Sequence, residues 1–344
     1  MKIGISYWGF CEKFYDSVVS NTPDGHRYGR PVLVDSLRQA GHEVYALQRR
    51  REELPYEGLD YQNAGEGYPD LDVLFIEWRW PTYKNSGPGK FEPDLDRQTS
   101  LLDYYHDKIP VVCWDTDLKM TFADEERWPS MIVADPSLSP RRLSRDRVRL
   151  TFWSDFEPLI ETRPGTVEFG YVGNNYERDQ MFMKYYSLPS SLLRESGVQT
   201  KVHGNWLQRS PERDEPEHLL RKHPWVAFGH RASFYESMQL LNGFICTAHI
   251  TKPGYADMGF ASPRYLENIV VGTPALVPCE FKYPKILGDE WVVSSPHDVT
   301  KKVRYLKELG PDGRKAVVEE QMHNLLAHHN FSVSNVVEFI ESLV

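Results

Sequence analysis

The chain has 344 residues, is 40% hydrophobic and 26% charged, and carries a formal net charge of −9. That length is too great for one ordinary core and calls for two domains. No stretch approaches 18 uninterrupted apolar residues, and Met1–Ile5 runs straight into a strand-like segment, so the reading is a cytoplasmic chain without leader peptide or membrane span. Most of the negative charge falls within the first 165 residues, so neither half is a basic nucleic-acid-binding domain by bulk charge. The four cysteines (Cys11, Cys113, Cys246 and Cys279) form no CxxC pair and read as free thiols in a reducing compartment.

In chain order, Lys2–Tyr7 reads as a first strand, Arg30–Ala40 as a helix closed by Gly41, and His42–Leu47 as a second strand. Asp72–Trp78 and Ile109–Trp114 are continuous apolar runs, the pattern of strands buried on both faces of a parallel sheet, with a helix at Leu95–His106 between them. Met131–Ala134 predicts another short strand. The loops Trp8–Tyr28 and Trp80–Glu92 are long and follow strand C-terminal ends, where open α/β sheets bind ligands.

The pattern restarts after a linker at Glu161–Gly165. Strands are predicted at Val167–Val172, Thr200–His203, Trp225–Phe228, Gly243–Ala248, Ala275–Pro278 and Glu290–Ser294. Helices are predicted at Arg178–Tyr186, Ser233–Asn242, Pro263–Val271, Asp298–Leu309, Arg314–His328 and Val333–Leu343. The βαβ rhythm of both halves predicts an α/β protein of two doubly wound, Rossmann-like domains.

The segment Met258–Pro278 carries the most specific signal. Ser262 suits an N-cap and Pro263 a first helical position, and the short helix stops at Gly272 before Thr273-Pro274 and an apolar strand. A helix N-terminus preceded by Gly259-Phe260 offers N–H groups to a diphosphate. Glu267, three residues after Arg264 and on the same helical face, suits the two ribose hydroxyls of a nucleotide.

On this segment the chain resembles the group-1 glycosyltransferases of GT-B fold, whose donor domain carries a Gly-Phe loop, a helix with a ribose-binding Glu, then Gly-Thr-Pro and a strand. The resemblance implies two Rossmann-like domains facing a cleft, with terminal helices returning to the first: residues 1–163 for the acceptor, 164–325 for the donor, and 326–344 as the returning helix. It implies a nucleotide sugar, UDP-linked, as co-substrate, with no further cofactor and no metal. Gly173, Arg178, Arg231, Gly259, Phe260, Arg264 and Glu267 would bind the donor, with Arg178, Arg231 and the helix N-terminus meeting the charge of the leaving diphosphate. Many relatives carry a second Glu eight residues before the ribose Glu. This chain has Gly259 there, which leaves the sugar and the stereochemical outcome open.

In the first half, Pro110–Asp117 is similar to the corresponding strand and acidic segment of the phage DNA α-glucosyltransferases. Asp115 and Asp117 are spaced as a DxD metal motif, but at a strand end of the acceptor domain a carboxylate suits a general base, and both are taken as catalytic candidates. A helix N-cap is the structural alternative for Asp115. Trp8, Trp78 and Arg79 are the acceptor-binding candidates, by stacking and by charge. Two arginine runs, Arg49–Arg51 and the five arginines between Arg141 and Arg149, together with the phage resemblance, keep a hydroxymethylated DNA base open as acceptor beside a small molecule or a glycan. A nucleotide-sugar epimerase and a non-catalytic nucleotide-binding protein are the remaining alternatives.

Overall fold

A computed structural model describes residues 1–7, 26–48, 67–85, 92–158, 161, 165, 167–208 and 216–344. These fall into two compact units: the first strand with His26–Asp155 and Phe331–Val344, and Phe156–Asn330.

The first unit runs β1 (Lys2–Ser6), α1 (His26–Gln39), β2 (Glu43–Ala46), β3 (Val73–Trp78), α2 (Pro93–Tyr105), β4 (Val111–Asp115), α3 (Phe122–Arg127), β5 (Ile132–Asp135) and β6 (Val148–Arg149). All strand pairs are parallel, in the order β2-β1-β3-β4-β5-β6. Every residue of β3 and β4 is buried, as continuous apolar runs require when helices cover both faces. Helix α2 opens on Pro93 with Asp94 and Asp96 in its first turn, where proline costs no hydrogen bond and acids complement the helix dipole. The strand order reverses between β1 and β3. The register sets Trp78 opposite Asp115, so the loops after β3 and β4 leave the sheet side by side.

The second unit runs β7 (Glu168–Val172), α4 (Asp179–Phe182), a π-helical turn (Met183–Ser187), α5 (Leu188–Glu195), β8 (Gln199–His203), α6 (Pro216–Lys222), β9 (Val226–Gly229), α7 (Phe234–Asn242), β10 (Thr247–Ala248), α8 (Pro253–Met258), α9 (Arg264–Val270), β11 (Ala275–Pro278), β12 (Val292–Val293) and α10 (Pro296–His329). Its strands form two parallel triplets, β7-β8-β9 and β10-β11-β12, joined by a parallel bridge between Phe169 and Cys246. The Tyr186 hydroxyl, from the π-helical turn, sits in this seam. It accepts the Ala248 N–H at 2.7 Å and lies 3.0 Å from the Gly170 carbonyl oxygen. The sheet therefore reads β9-β8-β7-β10-β11-β12, and its order reverses at β7/β10.

Helix α10 merges the two helices predicted for this region across a kink at Gly310, whose φ of 71° only glycine adopts without strain. The last helix, α11 (Val333–Glu341), packs on α1 within the first unit. Ser154 clips its entry, donating to Phe331 O at 3.0 Å and accepting from Val333 N at 3.1 Å. Among the described residues no helix is long and apolar enough to cross a membrane.

Candidate functional site

In an open α/β sheet, ligands bind beyond the strand C-termini where the strand order reverses. In the second unit that point is the mouth of β7 and β10, and it gathers most of the predicted donor residues. The loop after β7 begins at Gly173, whose N–H donates to His203 O at 2.9 Å and whose carbonyl accepts the Trp206 indole N–H at 2.8 Å. A side chain at Gly173 would strike the Tyr171 ring, so glycine keeps the loop close to the sheet. The loop ends at Arg178. Its Nη1 donates to Asn174 O at 3.0 Å, and its Nε reaches Ile250 O at 3.3 Å, in the loop after β10. Nη2 makes no hydrogen bond to any of the described residues.

Ile250 follows His249, the first residue past β10. The His249 ring stacks on Tyr265 of α9 at 3.9 Å and 14°. Tyr265 adjoins Arg264, whose guanidinium pairs with the Glu267 carboxylate one turn on. Glu267 is 1% exposed, a depth at which a carboxylate needs a cation or several N–H donors. Arg178, His249, Arg264 and Glu267 thus come together from three segments: the loop after β7, the residues after β10, and helix α9.

Three predicted donor residues are placed differently. Gly259 closes α8 in the left-handed region, with φ 67° and ψ 42°. Phe260 is buried, its ring 4.5 Å from Tyr255, so both shape the approach to α9 through the backbone. Helix α9 starts at Arg264 with Pro263 as its cap, one residue later than predicted. The N–H groups of Tyr265, Leu266 and Glu267 are spent on the Ser262 and Pro263 carbonyls, so the helix start offers fewer donors than its sequence implies. Arg231 is exposed after β9, two strands away from β7, and the structure does not bring it to this patch. A cavity of about 410 Å³ lined by Arg194, Thr200 and Trp225 lies at the N-terminal ends of β8 and β9, the opposite end of the sheet.

In the first unit the two candidate aspartates separate. Asp115, the last residue of β4, is fully buried. Its carboxylate accepts the N–H groups of Lys119 (2.6 Å) and Met120 (3.0 Å), Arg141 Nη2 (2.7 Å) and Arg147 Nη1 (3.0 Å). It is therefore committed to the fold, in place of the outward-facing group the sequence describes. Burial pushes its carboxyl up to about 6, against the opposing pull of Arg147 and Arg141. What it holds is a tight turn in which Leu118 takes φ 55°, a left-handed conformation unusual for a branched residue. Asp117 lies in that turn with its side chain 33% exposed, and accepts Arg79 Nε at 3.1 Å. Two predicted site residues, Arg79 and Asp117, are thus paired at adjacent strand ends.

Trp78 is completely buried, its indole edge-on to Trp128 at 5.9 Å, so its ring offers no face to an acceptor. The exposed aromatic rings nearby are instead Trp80 (40% exposed) and Tyr83 (62% exposed), on a turn pinned by Thr82 N to Asp124 at 3.2 Å. Residues two apart share a strand face, so alternation does not separate Trp78 from Trp80; the end of β3 at Trp78 does. Trp8, Cys11 and the Arg49–Arg51 run lie outside the described residues.

In the second arginine run Arg147 is buried, Arg141 and Arg145 are half-buried with inward partners, and Arg149 is exposed. Arg141 and Arg147 reach Asp115 and Asp135, Arg147 also binds Glu125, and Arg145 donates to the carbonyls of Pro129 and Met131. Arg142 is exposed and pairs with Asp146.

No protein-family model and no curated protein sequence matches the chain. Solved structures do. The DNA-modifying enzyme β-glucosyltransferase, solved with and without uridine diphosphoglucose, is similar over 99% of this chain and 98% of its own, with a TM-score of 0.63 at 14% identity. An α-glucosyltransferase in complex with UDP and a 13-mer DNA containing an HMU base is similar over 99% of both chains, with a TM-score of 0.63 at 13% identity. Sucrose-phosphate synthase from Thermosynechococcus elongatus is similar over 99% of this chain and 98% of its own, with a TM-score of 0.54 at 12% identity. The chain has the fold of these enzymes: α/β, with two Rossmann-like units.

Proposed function

We propose that the protein is a glycosyltransferase that moves a sugar from a UDP-sugar, bound by the second unit, to an acceptor hydroxyl met by the first. The observation that carries this reading is the convergence of Arg178, His249, Arg264 and Glu267 at the β7/β10 reversal. Glu267 supplies a buried acceptor for the ribose hydroxyls. Arg178 and Arg264 supply cations for a diphosphate whose charge grows as it leaves, the kind of preorganised electrostatic stabilisation that dominates such reactions. The likeness to enzymes solved with uridine diphosphoglucose or UDP supports a uridine donor.

On the acceptor side, Asp117 takes the part of general base, and Arg79 Nε, 3.1 Å from its carboxylate, orients it. In the step, the acceptor oxygen bonds the anomeric carbon, the bond from that carbon to the UDP oxygen breaks with its electron pair going to UDP, and the hydroxyl proton passes to Asp117. Asp115 positions the turn and touches no substrate.

A hydroxymethylated DNA base is the second reading for the acceptor. The exposed Trp80 and Tyr83 rings, which follow Arg79 in the chain, favour it, as do the two DNA-linked neighbours. Against it stand the acidic first half and the inward use of Arg141, Arg145 and Arg147, since phosphate neutralisation supplies most non-specific DNA affinity. A small-molecule or glycan hydroxyl is therefore preferred.

The test is a thermal-shift screen against UDP-, GDP-, ADP- and dTDP-sugars. A ligand at 100 times its Kd stabilises the native state by about 2.7 kcal/mol, enough for a clear rise in melting temperature. A shift confined to UDP and UDP-sugars supports the reading. The absence of a shift with every sugar nucleotide overturns it.

A further inference from the structure

His249 is a polar ring in a place where polar rings are bonded. It is 7% exposed, yet its side chain makes no hydrogen bond to any described residue, and Nε2 is completely enclosed without a partner. A buried donor or acceptor left unmet costs about 1–3 kcal/mol, so folded proteins retain one chiefly where a ligand or water completes it. Nothing in the packing asks for a histidine. The ring lies flat on Tyr265, a contact that phenylalanine would make equally well without the polar penalty.

Its position indicates what completes it. His249 is the first residue beyond β10, at the reversal point of the second unit's sheet. Ile250, the next residue, is tied to Arg178, and Tyr265 beneath the ring adjoins Arg264. The imidazole thus sits one residue from the carbonyl that holds Arg178 and stacks on the residue next to Arg264, the two arginines assigned to the donor diphosphate. Burial, aided by Arg264, holds it neutral, with its pKa brought down to about 3. A neutral imidazole has one N–H to give and one lone pair to receive. A phosphate oxygen only accepts and is better served by the arginines, whereas a sugar hydroxyl both gives and receives.

We infer that His249 is a specificity residue of the donor site, hydrogen-bonding a hydroxyl of the transferred sugar. This rests on the donor site proposed above and goes beyond it by dividing that site between nucleotide and sugar. It predicts that the wild-type protein binds one UDP-sugar more tightly than UDP, and that His249 accounts for the difference.

The experiment is calorimetry of wild type, His249→Phe and His249→Asn with UDP, UDP-glucose, UDP-galactose and UDP-N-acetylglucosamine, alongside the melting temperature of each ligand-free protein. His249→Phe should bind UDP within about twofold of wild type and lose about 10-fold in affinity for the preferred UDP-sugar, the scale of one hydrogen bond. Its ligand-free melting temperature should equal or exceed that of wild type, because an unbonded buried polar group has gone. His249→Asn, which keeps an N–H donor, should recover part of the lost affinity.

Unchanged UDP-sugar affinity in His249→Phe overturns the inference. So does an equal loss for UDP and UDP-sugar, which would make His249 a support of the nucleotide site. A fall in ligand-free stability with unchanged sugar preference assigns it to the fold. If wild type binds none of the four ligands, the donor site itself fails, and the role of His249 with it.

Discussion

Asp115→Ala separates a carboxylate that holds the fold from one that does the chemistry. In the structure the Asp115 carboxylate accepts two main-chain N–H groups and two guanidinium groups, with no exposure to water. Alanine leaves the Lys119 and Met120 N–H groups unbonded. Among the described residues it also leaves Arg147, whose side chain is wholly buried, with Glu125 at 2.8 Å and Asp135 at 3.4 Å. Removing one partner of a buried ion pair costs about 3–5 kcal/mol. For a unit of this size about 2–4 °C is lost per kcal/mol, so the melting temperature of the first unit should fall by about 6–20 °C. Differential scanning calorimetry measures this directly. Because the second unit shares none of these bonds, calorimetric titration of the variant with UDP below its melting temperature should give near-wild-type affinity. A drop of less than about 1 kcal/mol, combined with a 10²-fold or greater loss of transfer rate, would refute the reasoning and return Asp115 to the role of reacting base.

Asp117→Asn should bind the donor normally and transfer sugar about 10²–10⁴-fold more slowly, the usual contribution of a general base, and near-normal single-turnover rates would remove Asp117 from that role. Glu267→Ala should weaken UDP binding by about 2–3 kcal/mol, about 30- to 150-fold in Kd by calorimetry, because charged hydrogen bonds to the ribose are lost and Arg264 is left without its carboxylate. Turnover should survive EDTA, since Arg178 and Arg264 are assigned the leaving-group charge; loss of activity on chelation with recovery on adding Mg²⁺ or Mn²⁺ would reassign that charge to a metal. Tyr186→Phe should destabilise the second unit by about 1–3 kcal/mol in urea unfolding, because the Ala248 N–H in the β7/β10 seam loses its acceptor.

Much of the architecture is legible in the chain because it depends on local pattern. The runs 73–76 and 111–114 are apolar without alternation, and a strand covered on both faces satisfies such a run. The succession Arg264, Glu267, Gly272, Thr273-Pro274 announces a short helix, a sharp reversal and a strand, and all three are present. Other features are decided between segments far apart in the chain, and there local pattern has no purchase. Asp115 and Asp117 look equivalent as residues two apart at a strand end. Arg141 and Arg147, more than twenty residues on, turn inward and claim one of them, while Arg79 from the neighbouring strand takes the other. The same inward turn makes internal counter-charge of two arginines in a run whose Arg142 and Arg149 stay exposed. His249 is one more polar residue after an apolar strand until Tyr265 closes over its ring and the reversal of strand order at β7/β10 brings its loop to Arg178. Strands and helices follow from spacing along the chain, which short-range sterics and hydrophobic period control. The burial of a charge or an imidazole follows from which distant groups surround it, and only the assembled sheet order decides that.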